Sequence, residues 1–286
     1  MRFGLHTGVS GGYPAAVEYA KSQGCTAMQI FSSNPRSYRT GPIDRKALER
    51  FAALRAENDL DPCVIHTPYL INLASDDPKI YDGSMRLLEH DLEAAAVGKI
   101  RYVNTHLGSY GKRDRNEGFV AICHALSAVL EKIQPGVVLV MENSAGAGNL
   151  AGGTIEELGR FLKTVDHPQL GVCLDTAHAW AAGYKIDDAA GVDAFVNDAE
   201  EHLGLDNLHI FHFNDTEVPL GAARDRHHHI GDGLIGFDGF RALAARKELA
   251  SKTAILETPG KSEDDERNMQ TIRAIFKGAA AAAART

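Results

Sequence analysis

The chain has 286 residues, 44% of them hydrophobic and 24% charged, a balance that supports one large buried core and excludes an intrinsically disordered protein. No apolar run reaches the roughly 18 residues of a membrane span, and the start Met1-Arg2-Phe3-Gly4-Leu5-His6 lacks a signal-peptide pattern, so the expected location is cytoplasmic with no membrane partner. The formal net charge of −8 is opposite in sign to the basic surface usual in proteins that approach a polyanion.

Short β-branched or apolar runs alternate with amphipathic stretches along the whole chain, the pattern of βα units and a parallel sheet. Eight strands are predicted, over 2–6, 27–31, 62–66, 102–106, 137–142, 170–175, 208–213 and 253–257. A helix is predicted over 44–58, where Ala47, Leu48, Phe51 and Leu54 recur at i, i+3, i+4 and i+7 and build one buried face. Similar faces follow Asp77, Asp114, Thr154 and Asp188, and Thr154-Ile155-Glu156-Glu157 has the Thr and Glu of a capping box. Eight such units in a chain of this length fit a single-domain TIM (β/α)₈ barrel of the α/β class, which commonly takes about 250 residues around one core, with the active site at the C-terminal ends of the strands. The catalytic barrel is expected over 1–278, followed by an Ala-rich tail over 279–286 read as a frayed helical end or a remnant. Cys25, Cys63, Cys123 and Cys173 stand far apart and are read as small buried apolar residues. Two connections are long, over 34–43 and 214–237; both follow strands and so belong on the face where this fold builds its sites.

Six strands finish on a residue able to bind a metal: His66, His106, Glu142, Asp175, His212 and Glu257, at intervals of 40, 36, 33, 37 and 45. Each interval is about one βα repeat, so a parallel barrel brings all six to one mouth. An isolated strand-end histidine is more often just hydrogen-bonded; six in succession are not explained that way. Imidazole and carboxylate without thiolate is the ligand set of hydrolytic Zn²⁺ or Mn²⁺ rather than of structural zinc. His178, in Asp175-Thr176-Ala177-His178, joins them if the strand ends at the Asp and a helical turn begins. Asp225 and His227, in Asp225-Arg226-His227-His228-His229, point to one side of an extended segment and can chelate one ion; the bland alternative is a solvated charged loop.

At these residues the chain resembles the endonuclease IV family of zinc-dependent abasic-site endonucleases. The matching blocks are His66-Thr67-Pro68-Tyr69-Leu70-Ile71-Asn72-Leu73-Ala74, Asn104-Thr105-His106-Leu107-Gly108-Ser109, Met141-Glu142-Asn143-Ser144-Ala145-Gly146, Leu174-Asp175-Thr176-Ala177-His178-Ala179, His212-Phe213-Asn214-Asp215, Asp225-Arg226-His227-His228-His229-Ile230-Gly231-Asp232-Gly233 and Leu256-Glu257-Thr258-Pro259. The resemblance implies three Zn²⁺ per chain, with Mn²⁺ as an alternative occupant. It places one ion on His66, His106 and Glu142, a second on Glu142, Asp175, His212 and Glu257, and a third on His178, Asp225 and His227. It implies a hydroxide between two ions as the nucleophile, Glu142 and Glu257 as the catalytic carboxylates, and cleavage 5′ of an abasic site to leave a 3′-hydroxyl and a 5′-deoxyribose phosphate. Three zinc ions would also offset six of the eight negative charges. For lesion recognition it implies that Arg36, Tyr69 and Leu70 wedge into the duplex where a base is missing. Double-stranded DNA with abasic sites is then the partner, and the chain is expected to act as a monomer with no obligate protein partner. The first strand departs from the family pattern, reading His6-Thr7-Gly8-Val9-Ser10. The competing reading is a metal-dependent sugar isomerase or epimerase on the same barrel, which predicts one or two ions in a small closed pocket.

Overall fold

The computed structural model describes residues 1–283. Eight strands form a closed parallel barrel in chain order: β1 (Arg2–His6), β2 (Ala27–Phe31), β3 (Cys63–His66), β4 (Tyr102–Thr105), β5 (Val138–Glu142), β6 (Leu170–Asp175), β7 (Leu208–His212) and β8 (Thr253–Leu256), with β8 pairing back onto β1. The predicted TIM barrel is the observed fold, and every predicted strand is present within one residue at each end. The helices are α1 (Tyr13–Ser22), α2 (Arg45–Glu57), α3 (Pro78–Val97), α4 (Arg115–Leu130), α5 (Ile155–Val165), α6 (Thr176–Ala182), α7 (Ala189–Leu203), α8 (Gly236–Ala245) and α9 (Ser262–Ala283). None of the described helices is long and apolar enough to cross a membrane.

Helix starts follow local chemistry. Asp44, Asp77, Asp114, Thr154, Asp175 and Asp188 each accept a backbone N–H of the first turn and cap α2 to α7 in order. The capping box at Thr154 is only half formed. Thr154 Oγ1 accepts Glu157 N at 3.1 Å, but the Glu157 carboxylate turns to the N–H groups of Gly152 and Gly153 and to Tyr110. Helix α9 runs past Gly278 to Ala283, so the stretch expected as a separate tail is helical as far as 283, and residues 284–286 lie outside the described residues.

Side chains two apart on a strand point to the same side, and this divides the core in two. Outward residues pack beneath the helices in one large cluster; inward ones, including Ala27, Val64, Val140, Cys173, Ile210 and Ile255, fill the cylinder. At Gly4 a Cβ would stand 2.3 Å from the Ala27 carbonyl oxygen, so only glycine lets β1 approach β2 there. All four cysteines are buried free thiols, as expected. Above the apolar plug the inward positions turn polar. Gln29 and Asn104 come first, then His6, His66, Glu142, Asp175 and His212 at the strand ends, which is the mouth of the barrel.

Candidate metal centre

Asp175 and His212 pair directly, whereas His66 pairs with Asn104, two residues before His106, and Glu142 with Cys173, two before Asp175, the stagger of tilted barrel strands. His106 and Glu257 lie one residue beyond the last residue of β4 and β8. The structure brings all nine sequence-predicted ligands together. The ligand atoms of His66, His106 and Glu142 lie within 4.8 Å of one another, as do those of Glu142, Asp175, His212 and Glu257. A third group within the same limit is Asp175, His178 and His227. Asp225, whose side chain is 61% exposed, stands over it with its carboxylate 3.3 Å from His178 Nε2 and 3.2 Å from His227 Nε2. The sequence grouping for this trio therefore gains Asp175, because α6 begins at the Asp175 cap and places His178 one turn further on.

Glu142 is the hub. It is 1% exposed, and its oxygens lie 3.3 Å from His66 Nε2, 3.6 Å from His106 Nε2, 3.3 Å from His178 Nδ1 and 3.1 Å from His212 Nδ1. Burial pushes its pKa up, but His106, His212 and His178 outweigh burial and hold the carboxyl well below the usual range. Burial likewise opposes charge on the neighbouring imidazoles. The acids beside them prevail and raise His66, His178 and His212, with His227 raised to about 9, while at His6 and His106 burial wins and lowers the pKa.

The residues fit divalent ions by two observations. First, four imidazoles are held by one ring nitrogen on a neutral acceptor: His66 Nδ1 on Thr67 O at 2.7 Å, His178 Nδ1 on Asn143 O at 3.0 Å, His227 Nδ1 on Glu257 O at 3.2 Å, and His212 Nε2 on Gln29 Oε1 at 2.9 Å. The opposite nitrogen of each faces carboxylates, so a proton there stands where a cation would. Second, His227 Nε2 is buried and, although 3.2 Å from Asp225 and 3.6 Å from Asp175, makes no hydrogen bond of proper geometry with either. The metal-free protein is accordingly expected to release protons when zinc is added at pH 7, because imidazoles charged in its absence must become neutral to ligate. A raised folded-state pKa gives stability that is present below the unfolded value of about 6.5 and lost as pH rises through the folded one. Melting of the metal-free protein should therefore fall between pH 6.5 and the His227 value of about 9. A pH-stat recording no acid on zinc addition, or a melting temperature flat across that window, would contradict this.

Three carboxamides hold three of the acids at the mouth, each at 2.6 Å: Asn104 donates to Glu142, Asn214 to Asp175 and Gln29 to Glu257. Sequence reasoning assigned none of them, nor His6, whose Nδ1 is 3.1 Å from Glu257. Gln29 had a signal: it is polar within Ala27-Met28-Gln29-Ile30-Phe31 and has the parity of the strand-end position. Asp215 was also unassigned. It is buried and accepts backbone N–H groups of Thr216, Gly231, Gly233, Ile235 and Gly236 at 2.8 to 3.1 Å, folding the β7–α8 loop so that Asp225 and His227 reach the mouth.

At the rim, Tyr69 is 58% exposed, with its ring centroid 5.3 Å from Phe31 and 5.9 Å from His66. Arg36 is exposed on the β2–α2 loop and Leu70 half-buried. Tyr38 ties their two loops together: its hydroxyl donates to Leu70 O at 2.6 Å, and its ring lies where a Cβ at Gly83 would be, 2.7 Å away.

The family described as xylose isomerase-like TIM barrel matches residues 17–278. A curated relative named probable endonuclease 4, from Natranaerobius thermophilus, is 40% identical over 277 residues, covering 96% of this chain and 98% of its own length. The crystal structure of endonuclease IV from Thermus thermophilus is similar with a TM-score of 0.87 at 34% identity, covering 98% of this chain and 100% of that one. A D-tagatose 3-epimerase-like protein has a TM-score of 0.78 at 20% identity, covering 99% of this chain and 100% of that one, and shares the fold.

Proposed function

The chain belongs to the endonuclease IV family among the xylose isomerase-like TIM barrels and is an enzyme of the deoxyribonuclease IV type, and we propose that it hydrolyses the phosphodiester 5′ of abasic sites in duplex DNA through three bound zinc ions. The observation that carries this reading is the third ligand group. Asp175, His178 and His227, with Asp225 above them, extend the centre beyond the two groups that meet at Glu142, and the β7–α8 loop supplies two of the four. A one- or two-ion isomerase site has no use for them.

Bound there, divalent ions supply Lewis acidity toward a phosphodiester, a water of lowered pKa and charge compensation for a departing 3′ oxygen. The chain's own part is to hold and orient. His66, His106 and Glu142 would hold one ion, Glu142, Asp175, His212 and Glu257 a second, and His178, Asp225 and His227 with Asp175 a third. Glu257 sits between His212 and His6, 3.2 Å and 3.1 Å away, with its carboxyl held well below the usual range by His212, against the effect of burial, so it remains an acceptor able to orient an attacking water. The products on this reading are a 3′-hydroxyl and a 5′-deoxyribose phosphate.

The acidic net charge is compatible with a DNA substrate because of where the charges are committed. On the loops of the mouth Asp44, Asp77 and Asp114 cap helices, and Asp215 is taken up by backbone N–H groups. Arg36, Arg39, Lys112, Arg224, Arg226 and Lys261 stand on the same face, and the ion pairs among the described residues, made by bases such as Arg45, Arg115, Lys132, Lys185, Arg241 and Arg246, leave these six free. Arg36, Tyr69 and Leu70 at the rim would enter the gap left by a missing base, where less stacking and pairing is lost on extrusion. Residues 1–278 form the catalytic unit on this reading, acting as a cytoplasmic monomer.

Two measurements test the proposal. Elemental analysis of metal-replete protein should give about three zinc ions per chain, with Mn²⁺ able to take some of the sites, and a duplex with one abasic analogue should be nicked on its 5′ side. About one ion per chain would favour the isomerase reading, and intact duplex with replete protein would refute the endonuclease. For the rim, Tyr38→Phe, which removes only the hydroxyl bonded to Leu70 O, should weaken abasic-duplex binding by about fivefold to tenfold while kcat stays within about twofold. Binding equal to that of the unsubstituted protein would mean that the two loops need no tie.

A further inference from the structure

We propose that Gln29 is a positioning residue that sets the Glu257 carboxylate and the tautomer of His212 for metal binding before any ion arrives. The inference rests on the reading of Glu257 and His212 as ligands of one ion.

Gln29 lies inside the barrel on β2 and is fully buried. Its amide touches three residues of the mouth: Nε2 is 2.6 Å from Glu257 Oε1 and 2.9 Å from His6 Nδ1, and Oε1 is 2.9 Å from His212 Nε2. The chemistry of the partners fixes which way the amide points. A carboxylate accepts only, so the NH₂ end must face Glu257, and the oxygen end then faces His212. An oxygen accepts only, so His212 must carry its proton on Nε2. That leaves Nδ1, 3.1 Å from Glu142 Oε1 and 3.2 Å from Glu257 Oε2, as the nitrogen that bears the second proton in the metal-free protein and gives it up to ligate where the second group converges. The amide nitrogen is also 2.9 Å from His6 Nδ1, an atom that itself lies 3.1 Å from Glu257 Oε1, so Gln29 and His6 meet at the same carboxylate oxygen.

Gln29 differs from the other two carboxamides that touch acids in the centre. Asn104 bonds Glu142, and the side-chain amide of Asn214 bonds Asp175, but neither bonds an imidazole ligand through its side chain. Gln29 alone links an acidic and an imidazole ligand of the same group. An amide does not titrate, so the arrangement holds at any pH at which the barrel is folded.

The test compares zinc affinity, by competition with a chromophoric chelator, in the full chain and in two variants. Gln29→Met keeps the volume and removes all three hydrogen bonds; it should weaken binding of one zinc ion by about tenfold to a hundredfold with an unchanged circular dichroism spectrum. Gln29→Asn keeps an amide but is one methylene too short to reach both Glu257 and His212, and should show a similar loss. The imidazole nitrogen signals of His212 in the zinc-loaded protein give a second readout, with the proton expected on Nε2 and the metal on Nδ1. Zinc binding by both variants equal to that of the unsubstituted protein overturns the proposal, as does a His212 protonated on Nδ1 in the zinc-loaded protein. Should Gln29→Met not fold, Gln29→Asn decides alone. Failure of the unsubstituted chain to bind more than one zinc ion would instead refute the metal centre itself, a different outcome read in a different sample.

Discussion

Glu142→Gln should lower incision of an abasic duplex by about a thousandfold, the equivalent of a barrier raised by roughly 4 kcal/mol, and remove more than one metal ion per chain. The size of the effect follows from the position of Glu142 in two of the three ligand groups at once. A carboxamide has the same shape but only one acceptor oxygen, and its NH₂ would be turned toward imidazole nitrogens that must present lone pairs to metal. The barrel should survive, because Glu142 stands above the apolar plug and the pairing of β5 with β4 and β6 is made by backbone. Single-turnover cleavage with elemental analysis of the same sample reads both effects. Full metal content with a rate within tenfold of the unsubstituted protein would show that the hub carries no ligation. Glu257→Gln, by contrast, should bind the abasic duplex normally and cut it very slowly, and unchanged cutting would remove Glu257 from the chemistry.

Asp215→Asn should remove one ion while leaving the other two, and lower incision by about a hundredfold, although Asp215 touches none of the nine side chains proposed as ligands. Its two oxygens accept five backbone N–H groups. Charge-assisted hydrogen bonds of this kind are each worth about 1.5 to 3 kcal/mol. An asparagine has one acceptor oxygen, and its NH₂ would face further N–H donors, so several loop amides would lose their partner. Asp225 and His227 are on that loop; His66, His106 and Glu142 are not. Hydrogen exchange at Gly231, Gly233 and Gly236 should accelerate, and a metal count of two rather than three should accompany it. Unchanged exchange with three ions retained would mean that the loop is held by other contacts.

The strand ends and the six strand-end side chains that meet at the mouth were legible in the sequence because both depend on local rules: alternating burial fixes where a strand runs, and an imidazole or carboxylate at its end needs only the barrel to reach its neighbours; Asp225 and His227, on a long loop, had only the resemblance to separate them from a solvated segment. His106 and Glu257 illustrate the limit of that precision, since each falls one residue past the ladder. Gln29, Tyr38 and Asp215 were not legible. Each acts through a partner 32 or more residues away or through a set of backbone groups, and no spacing along the chain encodes those meetings. The Thr154 capping box half formed for the same reason: Glu157 had nearer N–H groups in a preceding turn than the one its spacing implied. The third ligand group grew by Asp175 because a helix begins at that very residue, a detail fixed by capping rather than by strand period.

The seam between the first and last strands has a consequence for biosynthesis. Arg2 to Leu5 cannot find Thr253 to Leu256 until the eighth strand has been made, and Glu257 follows directly on that strand. On the proposed reading a nascent fragment without the eighth strand would have too few donors for its full set of cations, and cleavage would wait for the barrel to close.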